Sequence, residues 1–316
     1  MQQGVHQPDS RILSEATPGK QVAPRKTFIL ASAIMIGLAI GLGFVLLREF
    51  LQNTFRTAED LERKTGMVVL GQIPRVPARG RLGIIKYLQS KPSSEAAEAI
   101  RNLRTSVLLS NIDKPPQVIM STSSIPGEGK TTLAVALAQN FAGLDKRVLL
   151  IEGDIRRRIF ENYFKQDKDA AGLISVVSGQ AKLAEAVYRP AKLNFDVLMG
   201  EKSPINAADL FSSDSFKNLL IEARSQYDYI IIDTPPVLVV PDARVIAQLS
   251  DAVLYSVRWD ATTTSQVAEG LRQFRAVDIG VSGLVLSQVD PRGMRRYGYG
   301  SKYGAHTRFG RGYYQN

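Results

Sequence analysis

No cysteine occurs among the 316 residues, which excludes a disulfide framework, thiolate metal sites and a cysteine nucleophile. Histidine is nearly as scarce. The only two, His6 and His306, stand in polar terminal stretches with no partner group near them in sequence, so neither a histidine-built metal site nor a Ser/His/Asp triad is expected. Acidic residues are missing beyond Asp290, where Arg292, Arg295, Arg296, Lys302, Arg308 and Arg311 stand unopposed. Most of the net charge of +10 therefore belongs to the C-terminal tail. The body is only mildly basic, which argues against a global nucleic-acid-binding charge.

One long run is free of charge altogether. Residues 28–47, FILASAIMIGLAIGLGFVLL, lie between Arg25 and Lys26 on one side and Arg48 on the other. At about 1.5 Å per residue, such a helix matches a hydrocarbon layer of about 30 Å. The run is too long, and too far from the start, for a signal peptide. Ala33, Gly37 and Gly41 are spaced four apart, a small-residue stripe on one face. Flanking charges balance, so orientation must come from the attached domain. Residues 1–27 are polar and proline-bearing and read as an extended or partly ordered lead-in.

Residues 48–93 read as a juxtamembrane segment. Thr57-Ala-Glu-Asp60 predicts a capped helix ended by Gly66, Met67 to Leu70 a short strand, and Gln72 to Arg81 a linker near anionic headgroups. A helix is expected from Ser94 to Ser110, with Ala96, Ile100, Leu103 and Val107 on its apolar stripe. Glu98 and Arg101 then fall on the opposite face with Arg104 beside them, a candidate subunit interface or a solvated salt pair. From Pro116 onward short β-branched runs alternate with helical stretches. That pattern predicts a mostly parallel sheet with helices on both faces over residues 94–290. Residues 291–316, rich in Gly, Arg and Tyr, are expected to be a disordered tail.

The most informative residues are Ser124-Ile-Pro126-Gly127-Glu128-Gly129-Lys130-Thr131-Thr132, between a strand and a helix. Glycines there let backbone N–H groups converge on phosphate oxygens, Lys130 adds a full charge, and Thr131 offers a hydroxyl to Mg²⁺. Ser124 stands where the strict pattern has its first glycine. Two apolar strands end in carboxylates, Glu152 with Asp154 and, separately, Asp233. Carboxylates at that sheet edge beside a P-loop suit a metal-nucleotide site.

With these motifs in order, the chain resembles the bacterial tyrosine kinases (BY-kinases) of the polysaccharide co-polymerase group. SIPGEGKTT resembles their Walker A motif, VLLIEGDIRRR their Walker A′ and YDYIIIDTPP their Walker B. EAIRNLRT, from Glu98 to Thr105, is similar to their oligomerisation motif, and Tyr297, Tyr299, Tyr303, Tyr313 and Tyr314 to their C-terminal tyrosine cluster. The resemblance implies a P-loop NTPase fold of the MinD/ParA type and an ATP- and Mg²⁺-dependent autokinase that phosphorylates tyrosines on a neighbouring subunit. It implies that Pro126 to Thr132 bind the nucleotide, that Lys130, Asp154 and Asp233 carry catalysis, and that Thr131, Glu152, Asp154 and Asp233 serve the metal. Implied partners are further copies in a ring-like homo-oligomer, a cognate tyrosine phosphatase, the polysaccharide polymerase and export machinery, and the bacterial inner membrane, with the kinase domain cytoplasmic and no nucleic acid bound. Glu152 departs from the usual aspartate, and the family's first membrane helix and large periplasmic domain are missing, residues 1–27 resembling an extramembrane, periplasmic remnant of that domain, so the chain is expected to be a fragment or a truncated form. A competing reading is a polysaccharide-export scaffold whose nucleotide domain only switches assembly.

Overall fold

The computed structural model describes residues 18–19, 23–50, 53–78, 80–111, 113–165, 170–190, 193–202 and 206–296. The chain divides into two compact units, Met1–Gln52 and Asn53–Asn316. In the first, α1 runs Lys26–Phe50. Its stretch Lys26–Leu46 is long and apolar enough to cross a membrane, and side chains such as Phe28, Met35 and Leu38 are left exposed by the protein. Such a helix has no aqueous surface to present, so lipid is its natural solvent.

The second unit is one seven-stranded sheet, wholly parallel, with strand order β1-β7-β6-β2-β5-β3-β4. The strands are β1 (Val69–Pro74), β2 (Val118–Ser123), β3 (Val148–Glu152), β4 (Asp196–Leu198), β5 (Tyr229–Asp233), β6 (Ala252–Arg258) and β7 (Gly283–Val289). Their β-branched runs are buried on both faces, as parallel strands between helical layers must be. Alternation along each strand divides the core. Ile119, Leu150, Ile231 and Val285 face α3 (Arg81–Ser90), α4 (Glu95–Leu109) and α5 (Lys130–Ala142). Met120, Leu149, Ile232 and Leu286 join the other layer, made of α2 (Ala58–Thr65), α6 (Leu173–Val177), α7 (Leu183–Ala186), α8 (Ala207–Ser212), α9 (Asp214–Gln226), α10 (Asp242–Ala247) and α11 (Thr264–Arg275).

Three expectations change here. Val69–Pro74, read in part as linker, is the edge strand paired with β7, and a proline is tolerated because it ends an edge strand. The compact unit therefore begins well before residue 94. Arg81–Ser90, at the end of that stretch and beyond it, is helix α3 with Ile85 buried against the α4–α5 layer. Pro291–Arg296, read as the start of the tail, forms α12, with Met294 buried. Tyr297, Tyr299, Tyr303, Tyr313 and Tyr314 lie outside the described residues.

The chain arriving from α1 is fastened to the β6–α11 loop. Thr54 pairs with Thr263 in an antiparallel bridge, Arg56 Nε lies 2.9 Å from Asp260 Oδ1, and Trp259 Nε1 donates to the Arg56 carbonyl at 2.9 Å. The same loop bears on the phosphate-binding turn described next.

Candidate functional site: a P-loop with two carboxylates

β2 and α5 are joined by the turn Ser124 to Gly129. Gly127 and Gly129 both take φ of 89°, the left-handed region that a side chain disfavours. Ser124 is not in that region, which is why a residue with a Cβ can replace the first glycine. It is buried, and its hydroxyl pairs at 2.8 Å with that of Tyr255 on β6. The turn is also held from outside. Glu128, expected among the nucleotide-binding residues, is buried with its carboxylate turned into the protein. It accepts from Ile125 N at 2.7 Å and from the Thr262 hydroxyl of the β6–α11 loop. Burial pushes its pKa up, with these hydrogen bonds pulling it back. Its side chain braces the loop by taking up the Ile125 N–H and points away from the glycines that follow.

Behind the turn, Lys130 Nζ is 3.4 Å from Asp154 Oδ2 and 3.4 Å from Asp233 Oδ1. Both carboxylates are buried. Parallel pairing brings them together: Glu152 lies opposite Asp233 in register, and Gly153 N donates to the Asp233 carbonyl at 2.7 Å. A Cβ at Gly153 would stand 2.8 Å from that oxygen, so only glycine lets β3 turn so closely over β5. Burial raises the pKa of Asp233, with Lys130 opposing it.

Glu152 makes no ion pair with Lys130, and its carboxylate is held by backbone instead. Its Oε1 accepts from Phe160 N at 2.6 Å and its Oε2 from Gly200 N at 3.0 Å, so both oxygens are engaged by backbone. The extra methylene carries the carboxylate across to those amides. Burial, helped by Asp233 and Asp154 and opposed by the two amides, pushes its pKa up to about 8.

The remaining acceptors suit Mg²⁺ with a nucleotide. Asp233 Oδ2 is buried with no hydrogen-bond partner, an acceptor whose desolvation a cation would offset. Among the described residues no three metal-ligating side chains cluster into a cage. A cavity of about 530 Å³ runs from the turn, where Gly127, Gly129, Lys130 and Thr131 line it, to the mostly apolar segment 73–100, with Arg75, Arg81 and Arg157 also in its wall. Asp154 and Asp233 do not line it and meet it through Lys130. Sequence reasoning missed Thr262, Tyr255 and Gly153. Of these only Gly153, a glycine between two carboxylates at a strand end, carries a local signal.

On α4, Glu98 and Arg101 form an ion pair, both half-buried. Arg104 does not accompany them. Its Nη1 donates to Asn140 Oδ1 of α5 at 2.7 Å, because three residues turn a helix by about 300° and rotate it toward its neighbour.

Residues 117–278, just over half of the chain, match the AAA_31 family model, an AAA domain. The chain is 31% identical over 310 residues to the putative tyrosine-protein kinase EpsB of Ralstonia solanacearum, covering 95% of this chain and 41% of that one. It is 31% identical over 307 residues to the tyrosine-protein kinase wzc of Salmonella typhimurium, covering 92% and 42%. The kinase domain of the Escherichia coli tyrosine kinase ETK superimposes with a TM-score of 0.67 at 27% identity, over 75% of this chain and 96% of that domain. The chain thus spans about two fifths of the length of the curated relatives it matches.

Proposed function

The chain belongs to the bacterial tyrosine kinases built on an AAA domain, and on that premise we propose that it is an ATP-dependent protein-tyrosine autokinase anchored in a membrane. The observation that carries this reading is Lys130 Nζ held between Asp154 and Asp233 directly behind a turn whose two glycines, Gly127 and Gly129, are left-handed. In this reading Gly127, Gly129 and the start of α5 bind the phosphates, and Lys130 leaves its carboxylates for the β- and γ-phosphate oxygens. Mg²⁺, bound with the nucleotide at Thr131, Asp154 and Asp233, supplies charge neutralisation on the phosphates. A bond forms from a phenolic oxygen to the γ-phosphorus and the bond to the β-phosphate oxygen breaks. The phenol, with a pKa near 10, is helped by passing its proton to Asp154 or Asp233.

The acceptors are Tyr297, Tyr299, Tyr303, Tyr313 and Tyr314 of a neighbouring copy. Glu98 and Arg101 contribute to the contact between copies in a ring. ATP supply places the domain on the cytoplasmic side, with α1 crossing the inner membrane once. Control of exopolysaccharide polymerisation and export, and reversal by a tyrosine phosphatase, complete the proposal.

The test is to incubate the purified chain with Mg²⁺ and ATP and map phosphorylated residues by mass spectrometry, beside Lys130→Met as control. Phosphotyrosine beyond Asp290 that disappears in the folded Lys130→Met protein is expected. ATP binding without phosphotyrosine would favour the assembly-switch reading.

A further inference from the structure

Three consecutive arginines follow Asp154, and the fold uses them differently. Arg156 Nε lies 3.1 Å from Asp242 Oδ2, a buried carboxylate at the start of α10. Arg158 Nη1 lies 2.9 Å from Glu161 Oε1. Arg157, between them, is exposed, and its guanidinium makes no hydrogen bond or ion pair with any described residue. It lines the same cavity as Gly127, Gly129, Lys130 and Thr131.

Its backbone is well fixed. Arg157 N donates to the Asp154 carbonyl and to Asp154 Oδ1, each at 3.2 Å, and Asp154 Oδ2 is the oxygen that faces Lys130. The next residue, Arg158, takes φ of 44°, an uncommon left-handed conformation for a side-chain-bearing residue. A short turn thus sets an unpaired cation in the wall of the phosphate cavity, one residue contact away from Lys130. No described residue satisfies it, whereas its two neighbours are each committed to a carboxylate.

We propose that Arg157 binds the terminal phosphate of the nucleoside triphosphate, as a second cation beside Lys130. The inference rests on the reading of this turn as a nucleotide site. Lys130 is buried and shared between two carboxylates, so much of its charge is already compensated within the protein. No described residue compensates Arg157. Its planar fork can take two oxygens of one phosphate, which a lysine cannot. Because the terminal phosphate is what separates ATP from ADP, Arg157 makes the site sense which nucleotide is bound.

The full chain in detergent micelles is titrated with MgATP and with MgADP by calorimetry, as wild type, Arg157→Met and Arg157→Lys. Removing a charge-assisted hydrogen bond should weaken MgATP by about tenfold or more. MgADP should be nearly unaffected, and Arg157→Lys should fall between. Equal weakening of both nucleotides, or of neither, overturns the proposal. So does a change in oligomer size with both affinities unchanged, which would mark Arg157 as a subunit contact. A wild type that binds MgATP yet forms no phosphotyrosine would defeat the kinase reading while leaving this one standing. A wild type that binds no nucleotide would defeat both.

Discussion

Replacing Glu152 by Gln separates two roles that its position in the motif confuses. As a metal ligand, Glu152 would be lost from the site and Mg²⁺-dependent nucleotide binding would collapse in a protein of normal stability. As a strut, it holds the amides of Phe160 and Gly200, 2.6 Å and 3.0 Å away. Gln keeps the length but turns an NH₂ group toward one of those donors, and an amide nitrogen cannot accept. One buried N–H then goes unsatisfied, at a cost of about 1–3 kcal/mol. For a domain of this size each kcal/mol lowers Tm by about 2–4 °C. Asp would fail similarly, since a carboxylate about 1.5 Å shorter cannot span both amides.

The pH dependence sharpens the test. Burial raises this carboxyl from 4.5 to about 8. Between those values the unfolded chain has released the proton while the folded protein still holds it. Glu152's contribution is therefore complete below about pH 4.5 and is lost as pH rises through about 8, with a slope up to about 1.4 kcal/mol per pH unit. Gln does not titrate. Thermal melts of both proteins from pH 5 to 8.5 should show the Gln variant less stable at the acid end, with the gap narrowing and then reversing as pH rises toward 8. MgATP affinity at pH 7 should be little changed. Parallel stability profiles, or loss of Mg²⁺-dependent binding in a variant of unchanged Tm, would refute the strut.

Other substitutions test the packing that supports the site. Gly270 lies within α11, where Ala would ordinarily add about 1 kcal/mol of helix propensity. A Cβ there would stand 1.8 Å from the Tyr255 hydroxyl, so Gly270→Ala should instead destabilise by about 1–3 kcal/mol, read as a lower Tm, and free Ser124 from its partner. Arg104→Ala should cost about 1 kcal/mol in thermal stability through the lost bond to Asn140. Arg101→Glu should change stability by only about 0.5 kcal/mol but reduce the oligomer seen by light scattering. If the two arginines exchange these effects, their assignment to tie and interface is reversed.

The sequence alone determined whatever depends on neighbours along the chain. The left-handed glycines at 127 and 129, the α5 start at Lys130, the Ser94 and Thr57 caps and the apolar α1 are local requirements of backbone and solvent. Buried β-branched runs ending in Glu152 and Asp233 likewise announced parallel strands with carboxylates at one edge. Edge strand β1 was obscured because Gln72, Pro74 and Arg75 read as breakers, and only pairing with β7 makes them strand. Where each charged side chain points was decided in three dimensions. Glu128 finds Thr262, 134 residues away, Glu152 finds Gly200, 48 away, and Arg104 finds Asn140, 36 away. A buried carboxylate or guanidinium goes where an unsatisfied donor or acceptor awaits it. That partner exists only once the sheet and its helices have closed around the site.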